Sequence, residues 1–298
     1  MIKKILFFVH DRVSRIYYLI LSLLLIVFFS NLFSRLSIKR KLNKSCVVVG
    51  NGPSFPYDIT EHKSLLDGKD LFCVNDFAQT VYYKIYKPKN YVILEPSFWD
   101  KNLIDEEISI RNKLFFDIVN NTEWPMNLFL PNEVKKSNIL QEFFLNSNEN
   151  ISVHCFNRTP IDYRGYFSNC LYKLGLGMPP PHNVLIAALF LSINMGYNKI
   201  FLIGADHSWH ENITVGSDNI LYVKQLHFYD SKNATFEPIY KKSQRKGCTP
   251  QYFLIHEIFE RWSKVFLGYH QLKEYALKND VQIFNISKKS YIDAFDRG

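Results

Sequence analysis

From Ile16 to Phe33 the chain reads IYYLILSLLLIVFFSNLF, with only Ser22, Ser30 and Asn31 polar. A helix of eighteen residues covers ~27 Å, close to the hydrocarbon thickness of a bilayer, so this run must find lipid or a large apolar surface. Tyr17 and Tyr18 suit one membrane interface, and the basic cluster Arg35–Lys44 suits anionic headgroups at the other. A cleaved signal peptide is disfavoured, because the run is long, its exit is basic and no small-residue cleavage site follows. Two arrangements stay open. The segment spans the bilayer, or it lies in the interface with Phe7, Phe8 and Val9 extending its apolar character. Five basic residues follow the run and four precede it, a slight bias toward a cytoplasmic C-terminal domain.

This anchor explains a charge that would otherwise suggest nucleic acid. The net charge is +8, from 36 basic and 28 acidic residues, and residues 1–45 hold nine of the bases against one acid. Subtracting them leaves 27 of each in residues 46–298. A protein that neutralises many phosphates needs its charge on the folded face, so the distribution argues against nucleic-acid binding. Five irregularly spaced cysteines exclude a disulfide scaffold and a zinc ribbon. The sequence therefore divides into an anchor, 1–45, and one domain, 46–298.

Within the domain, short all-apolar runs alternate with helical stretches. The runs are Cys46–Gly50, Leu71–Asn75, Tyr91–Glu95, Lys113–Ile118, Asn127–Leu130, Ile151–Phe156, Lys199–Gly204 and Val281–Ile286; the clearest helices are Val184–Met195 and Tyr252–Lys278. The alternation predicts an α/β fold, a mostly parallel Rossmann-like sheet with helices on both faces. Val184–Leu191 is apolar around its whole circumference, which predicts a buried central helix.

Ligands of such sheets bind beyond the carboxyl ends of the strands. Gly50-Asn-Gly-Pro-Ser54 stands at one such end, where Gly52 permits close approach of a ligand and Asn51 and Ser54 offer short polar side chains. It lacks the third glycine of the dinucleotide fingerprint and the Gly-Lys-Ser/Thr of a P-loop. Gly204-Ala-Asp-His-Ser-Trp-His210 follows another strand, and Asp206, His207 and His210 are candidates for catalysis or a metal. Pro179-Pro-Pro-His-Asn183 precedes the buried helix; His182 or Asn183 caps it, and its N-terminus suits phosphate or carboxylate. Residues 207–250 show no core pattern, which predicts a lid carrying His227-Phe-Tyr-Asp230 and the basic Lys241–Lys246.

Three blocks together carry a family resemblance: Val47-Val-Val-Gly-Asn-Gly-Pro-Ser54, Phe72-Cys-Val-Asn75 and Met195-Gly-Tyr-Asn-Lys-Ile-Phe-Leu-Ile-Gly-Ala-Asp206. The pattern resembles the bacterial sialyltransferases of glycosyltransferase family 42 and is similar to the related 6-hydroxymethylpterin diphosphokinase-like proteins. The resemblance implies a GT-A-type fold, a CMP-activated sialic acid or related keto-sugar as donor, and no metal cofactor. It places nucleotide contacts at Asn51, Gly52, Ser54 and Asn75, a helix-start contact near His182 and Asn183, and the late-strand acid at Asp206. Where the family has an aromatic residue and a phosphate-binding tyrosine, this chain has His207 and Ser208, so Tyr229 of the lid is the candidate phenol. The family's catalytic histidine after the lid has no clean match; His256 is nearest, and His207 and His256 are the two candidate bases. The implied activity is a membrane-anchored transferase at the bacterial inner membrane, with its domain cytoplasmic and a glycan or glycolipid acceptor, as in lipopolysaccharide or capsule biosynthesis. Membrane lipids are then partners, and self-association stays open. The alternatives are a pterin-type diphosphokinase using ATP and Mg²⁺, or a non-catalytic tethered glycan-assembly factor.

Overall fold

The computed structural model describes residues 2–33, 44–145, 147–163, 165–229, 235–242 and 244–298, with backbone alone for residues 2–11 and 166. Most of the basic cluster, residues 35–41, and Asp230 of the lid lie outside the described residues.

Seven strands form one parallel sheet: β1 (Lys44–Val49), β2 (Asp70–Val74), β3 (Asn90–Val92), β4 (Met126–Pro131), β5 (Ile151–Phe156), β6 (Tyr197–Ile203) and β10 (Gln282–Asn285). The strands lie side by side in the order β10-β6-β1-β2-β3-β4-β5. The chain steps outward from β1 to β5, then returns to place β6 on the other flank of β1. This reversal between β1 and β6 is the topological switch point, where an open α/β sheet leaves a crevice beyond its strand ends.

The strands are mainly apolar, most fully in Cys46–Val49 and Ile200–Ile203, because both faces are covered. Val48, Phe72 and Leu202, in register across β1, β2 and β6, pack with α7 (Val184–Asn194) and α8 (Ile255–Leu277). Val47, Val49, Cys73 and Ile203 pack on the opposite face with Phe55 and Ile59 of α2 (Phe55–Glu61) and Leu114, Phe115 and Ile118 of α5 (Asp105–Asn121). Helix α7 is buried from Leu185 to Ile193, as its uniform apolarity requires. Helix α8 is one-sided, with Ile258, Val265, Tyr269, Leu272 and Ala276 inward. At Gly268 a Cβ would stand 2.7 Å from Ile186 Cδ1, so the glycine lets α7 and α8 approach closely. Short helices α3 (Lys63–Leu66), α4 (Val81–Tyr86) and α6 (Tyr166–Lys173) complete the layers.

Two expectations are corrected. Lys113–Ile118 is not a strand but part of the second half of α5. A short apolar run has no distinctive period, and the deciding signals lie upstream, in the acidic first turn Asp105-Glu-Glu107. The second concerns residues 207–250, which are not structureless. They hold a three-stranded antiparallel sheet of β7 (Ile213–Val215), β8 (Leu221–Val223) and β9 (Glu237–Pro238). Leu221 and Val223 supply its buried side, a pattern too short to register as a core.

The first helix, α1 (Ile2–Phe29), contains a window, Arg12–Phe29, long and apolar enough to cross a membrane. It is not detached from the domain. Ser22 and Ile26 are buried against it, while Ile16, Tyr17, Ile20, Leu24, Val27 and Phe28 face outward and exposed. Just past the helix end, the Asn31 backbone N–H donates to Asn157 Oδ1 at 2.8 Å, and Asn157 Nδ2 donates back to Asn31 O at 3.0 Å.

Candidate active site

The crevice at the switch point is built from backbone first. The Gly50 N–H donates to Ile203 O and the Gly52 N–H to Gly204 O, both at 2.8 Å, which stitches the two strand ends together past the sheet. A Cβ on Gly50 or Gly204 would overlap the other's carbonyl oxygen, and Gly204 also takes φ +62°. A Cβ on Gly52 would overlap the Asp206 carboxylate. These glycines are required by a close approach that no other residue permits.

Asp206 is 5% exposed and turned onto the Gly52–Ser54 turn. Both its oxygens accept from the Ser54 backbone N–H, at 3.2 and 3.3 Å. Ser54 Oγ lies 2.9 Å from Asp206 Oδ2 and 2.7 Å from Asp58 Oδ2, so one hydroxyl proton faces two carboxylates. Asp58 is fully buried and also accepts from the Gly204 and Lys288 backbone N–H groups. Burial raises the Asp206 pKa above the usual carboxylate range and the nearby Asp58 adds to the rise, against the lowering effect of Ser54.

His207 has φ +51° and is 7% exposed, packed on Trp209 with ring centroids 4.2 Å apart. Its Nε2 pairs with the Tyr269 hydroxyl at 2.7 Å, and that hydroxyl also donates to Asn183 Oδ1 at 3.4 Å. Burial pushes the His207 pKa down to about 3, so the ring is neutral at neutral pH. Asn183 caps α7 by accepting the Leu185 N–H at 2.8 Å. The chain His207–Tyr269–Asn183 thus ties the late-strand loop to the N-terminus of α7 through a tyrosine on α8.

The opposite wall holds the two asparagines. Asn51 Nδ2 donates to Val74 O at 3.2 Å, yet its Oδ1 is buried without a partner. Asn75 takes φ +46°, its carbonyl accepts from the Tyr91 hydroxyl, and its own Oδ1 is also buried without a partner. Above them sits the lid. The Phe228 N–H donates to Asn51 O at 3.1 Å, and the Phe228 ring packs against Phe55 (4.6 Å), Tyr82 (5.5 Å) and Phe77 (5.9 Å). Tyr229 stacks on His227 with centroids 5.0 Å apart. With the lid so seated the cleft encloses about 130 Å³, below the ~300–1,000 Å³ usual for small-molecule sites.

The structure thus gathers Asn51, Gly52, Asn75, Asn183, Asp206, His207 and Tyr229 around one cleft. Ser54 stands directly behind it, bonded to Asp206. His182 is exposed and lines an adjoining cleft of about 640 Å³ that shares Asn183, Trp209 and Gln225 with the first. His256 lies exposed on the first turn of α8 and lines neither. His210 turns away to the edge of Tyr291, centroids 4.3 Å apart. Among the described residues no three His, Cys, Asp or Glu side chains converge as metal ligands.

Three residues escape a reading of the sequence. Tyr269 looks like one more core aromatic on α8, and nothing in its spacing separates it from Leu272 or Tyr275. Asp58 stands four residues after Ser54, a helical spacing that could have flagged the pair. Phe228 looks like no more than one member of an aromatic run.

No protein-family model matches this chain, and no curated protein matches it. Among solved structures it is similar to the MAf glycosyltransferase from Magnetospirillum magneticum AMB-1, with a TM-score of 0.45 and 13% identity. The match covers 91% of this chain and 35% of that protein's.

Proposed function

We propose that this protein is a membrane-associated glycosyltransferase that takes an acidic sugar from a CMP-activated donor and passes it to a glycan or glycolipid acceptor. One observation carries the reading. At the switch point of the sheet, two buried asparagine oxygens, Asn51 Oδ1 and Asn75 Oδ1, have no donor in the protein. Buried acceptors left unpaired cost ~1–3 kcal/mol each, a cost that a ligand's N–H and O–H groups would remove. A nucleoside offers both, through an exocyclic amine and ribose hydroxyls. The α7 N-terminus on the far wall then faces the phosphate, where backbone N–H groups and the helix dipole favour negative charge.

In this reading Asn51, Gly52, Ser54 and Asn75 hold the nucleoside, Asn183 and Tyr229 the phosphate, and Asp206 holds the turn. The leaving group is the nucleotide phosphate, and a histidine takes the acceptor's proton. His207 holds Tyr269 and Asn183 in place, since a ring with a pKa near 3 is a poor base at neutral pH. His182, which lines the adjoining 640 Å³ cleft next to the shared Asn183, is the better placed base. Although part of its surface is open, desolvation of the ring against the cleft wall, and then Lys264, lower its pKa from 6.5 and favour the neutral form a base needs. The late-strand donors are engaged with Ser54 and Tyr269, so the proposed transfer proceeds without a metal.

Calorimetric titration of the full-length protein with CMP, GTP and ATP tests the reading. CMP should bind, and Asn51→Ala should weaken it by ~1–3 kcal/mol. Hydrolysis of a CMP-sugar should survive EDTA. Preference for ATP with Mg²⁺, or unchanged CMP affinity in Asn51→Ala, would overturn it.

A further inference from the structure

Helix α1 meets the domain along most of its apolar length. Toward the start of that run, Arg15 and Tyr18 share a cleft with the exposed, charged Asp162, Lys264, Glu274 and Lys278. Further on, Ser22 and Ile26 are buried, Ile26 among the core residues that pack with α7 and α8. Just past the helix end, Ser30 Oγ donates to Leu176 O at 2.6 Å and stands 2.7 Å from Thr159 Oγ1, beside the reciprocal Asn31–Asn157 pair. Between Ser14 and Phe29 the helix rises ~22 Å, so one polar domain touches both ends of a run long enough to cross a bilayer.

The opposite face is bare. Ile16, Ile20, Leu24 and Val27, three or four residues apart, form one stripe and are 50–65% exposed, with Phe28 beside them at 74%. Such a stripe calls for a cover, and charge says which one. Residues 1–45 hold nine bases and one acid, so a second copy laid on this face would bring like charges together. The anionic surface of a bilayer would attract them instead.

The same contacts decide how the helix meets that bilayer. A helix that crosses puts its two ends at opposite membrane faces. The domain would then have to pass through the hydrocarbon beside α1, with Asp162, Lys264, Glu274 and Lys278 at one end and Asn157 at the other. Charged and irregular lipid-exposed segments do not stand in hydrocarbon.

We propose that α1 lies flat in the interface of an anionic bilayer, its inner face on the domain and its outer stripe in the acyl boundary, and does not cross. Of the two arrangements the sequence leaves open, the packing of α1 selects the second. The inference rests on the membrane association in the proposed function and not on the transfer, so lipid binding and depth are measured without a sugar nucleotide.

The test uses full-length protein on phosphatidylcholine vesicles with and without phosphatidylglycerol. Spin labels at Ile16→Cys, Ile20→Cys, Leu24→Cys and Val27→Cys, in a Cys248→Ser background, should all report one shallow depth, ~5–10 Å below the headgroups. A spanning helix would instead spread the four along ~16 Å of the membrane normal. In sealed vesicles an impermeant maleimide should label Arg12→Cys to the same fraction as native Cys248, which is exposed on the domain. Leu24→Asp, or omission of phosphatidylglycerol, should weaken vesicle binding at least tenfold and leave CMP affinity in detergent unchanged. Depths spread along the normal, or Arg12→Cys and Cys248 labelled from opposite sides, would overturn the proposal. So would a dimer that Leu24→Asp splits, with no binding to vesicles. If the labels lie flat but CMP does not bind, the transfer reading falls and the placement of α1 stands.

Discussion

Two pairs of asparagines lie at opposite ends of the same sheet, and they are treated differently. At the amino ends of β3 and β4, Asn127 Nδ2 donates to Asn90 Oδ1 at 3.0 Å, and His154 Nε2 bonds Asn127 Oδ1 at 3.1 Å. Nearby, Asp70 is held by Lys89 and by the Tyr197 hydroxyl, both at 2.6 Å. At the carboxyl ends, Asn51 and Asn75 each leave a buried oxygen unpaired, and Asn75 and His207 both take left-handed backbone. Left-handed backbone occurs at both ends, at Lys87 and Asp280 on the amino side as well, so the difference lies in the unpaired oxygens. Buried unsatisfied groups cost stability and persist where another requirement holds them, so the contrast marks the carboxyl ends as the working side.

The largest effect expected from this contrast is in His207. Its pKa falls from 6.5 to about 3 in the folded protein, so the stability it contributes is present above pH 6.5. That stability is lost as pH drops from 6.5 toward 3, on the order of 4 kcal/mol in all for a fully buried ring. His207→Asn, which tolerates the left-handed backbone, should flatten this part of the curve. Urea denaturation across the pH series reads it; parallel curves for the two proteins would show that the ring titrates freely, and the contrast would lose its strongest member.

Next come the asparagines themselves. Asn90→Ala removes a partner from Asn127 and should lower unfolding free energy by ~1–3 kcal/mol, leaving CMP binding alone. Asn51→Ala should do the reverse, sparing stability and weakening CMP. At Asn75 the informative change is Asn75→Gly, because alanine would add the strain of φ +46° to the lost amide. If both ends respond alike in stability, the distinction between them fails.

The sheet is legible in the sequence for a physical reason. All-apolar runs such as Cys46–Val49 and Ile200–Ile203 fit only strands covered on both faces, and the strand-end positions of Asn51, Asn75 and Asp206 follow from that. Contacts that depend on tertiary placement are not legible. Tyr269 reaches His207 from 62 residues away, and no local pattern marks it. The Lys113–Ile118 run misleads because apolar composition without a period fits a helix face as well as a strand. His256 is a candidate only by its position after the lid, which carries no information on where the first turn of α8 points.

A smaller effect belongs to the lid. Phe228→Leu keeps an apolar plug but loses the ring contacts with Phe55, Phe77 and Tyr82, ~1 kcal/mol of lid closure. Stopped-flow binding should then show faster CMP entry and faster release, with the melting temperature little changed. An unchanged entry rate would mean that the cleft fills by a route that leaves Phe228 seated.

The smallest expected effect is at His256, and it bounds the comparison from the other side. The residue is exposed at the start of α8, beside Glu257, whose carboxylate caps the Leu254 backbone N–H and pairs with Lys241 at 2.6 Å. An exposed side chain that lines neither cleft carries little of the fold, so losing it should change stability by at most ~0.5 kcal/mol. His256→Ala should therefore bind CMP and hydrolyse a CMP-sugar at the wild-type rate, while His182→Ala should lose ~10²–10⁴-fold in turnover, the range for removing a general base. The opposite ranking would require α8's first turn to swing over the cleft during turnover. The β7–β8–β9 sheet that precedes it would then be the moving part, and the working side of the molecule would extend beyond the strand ends.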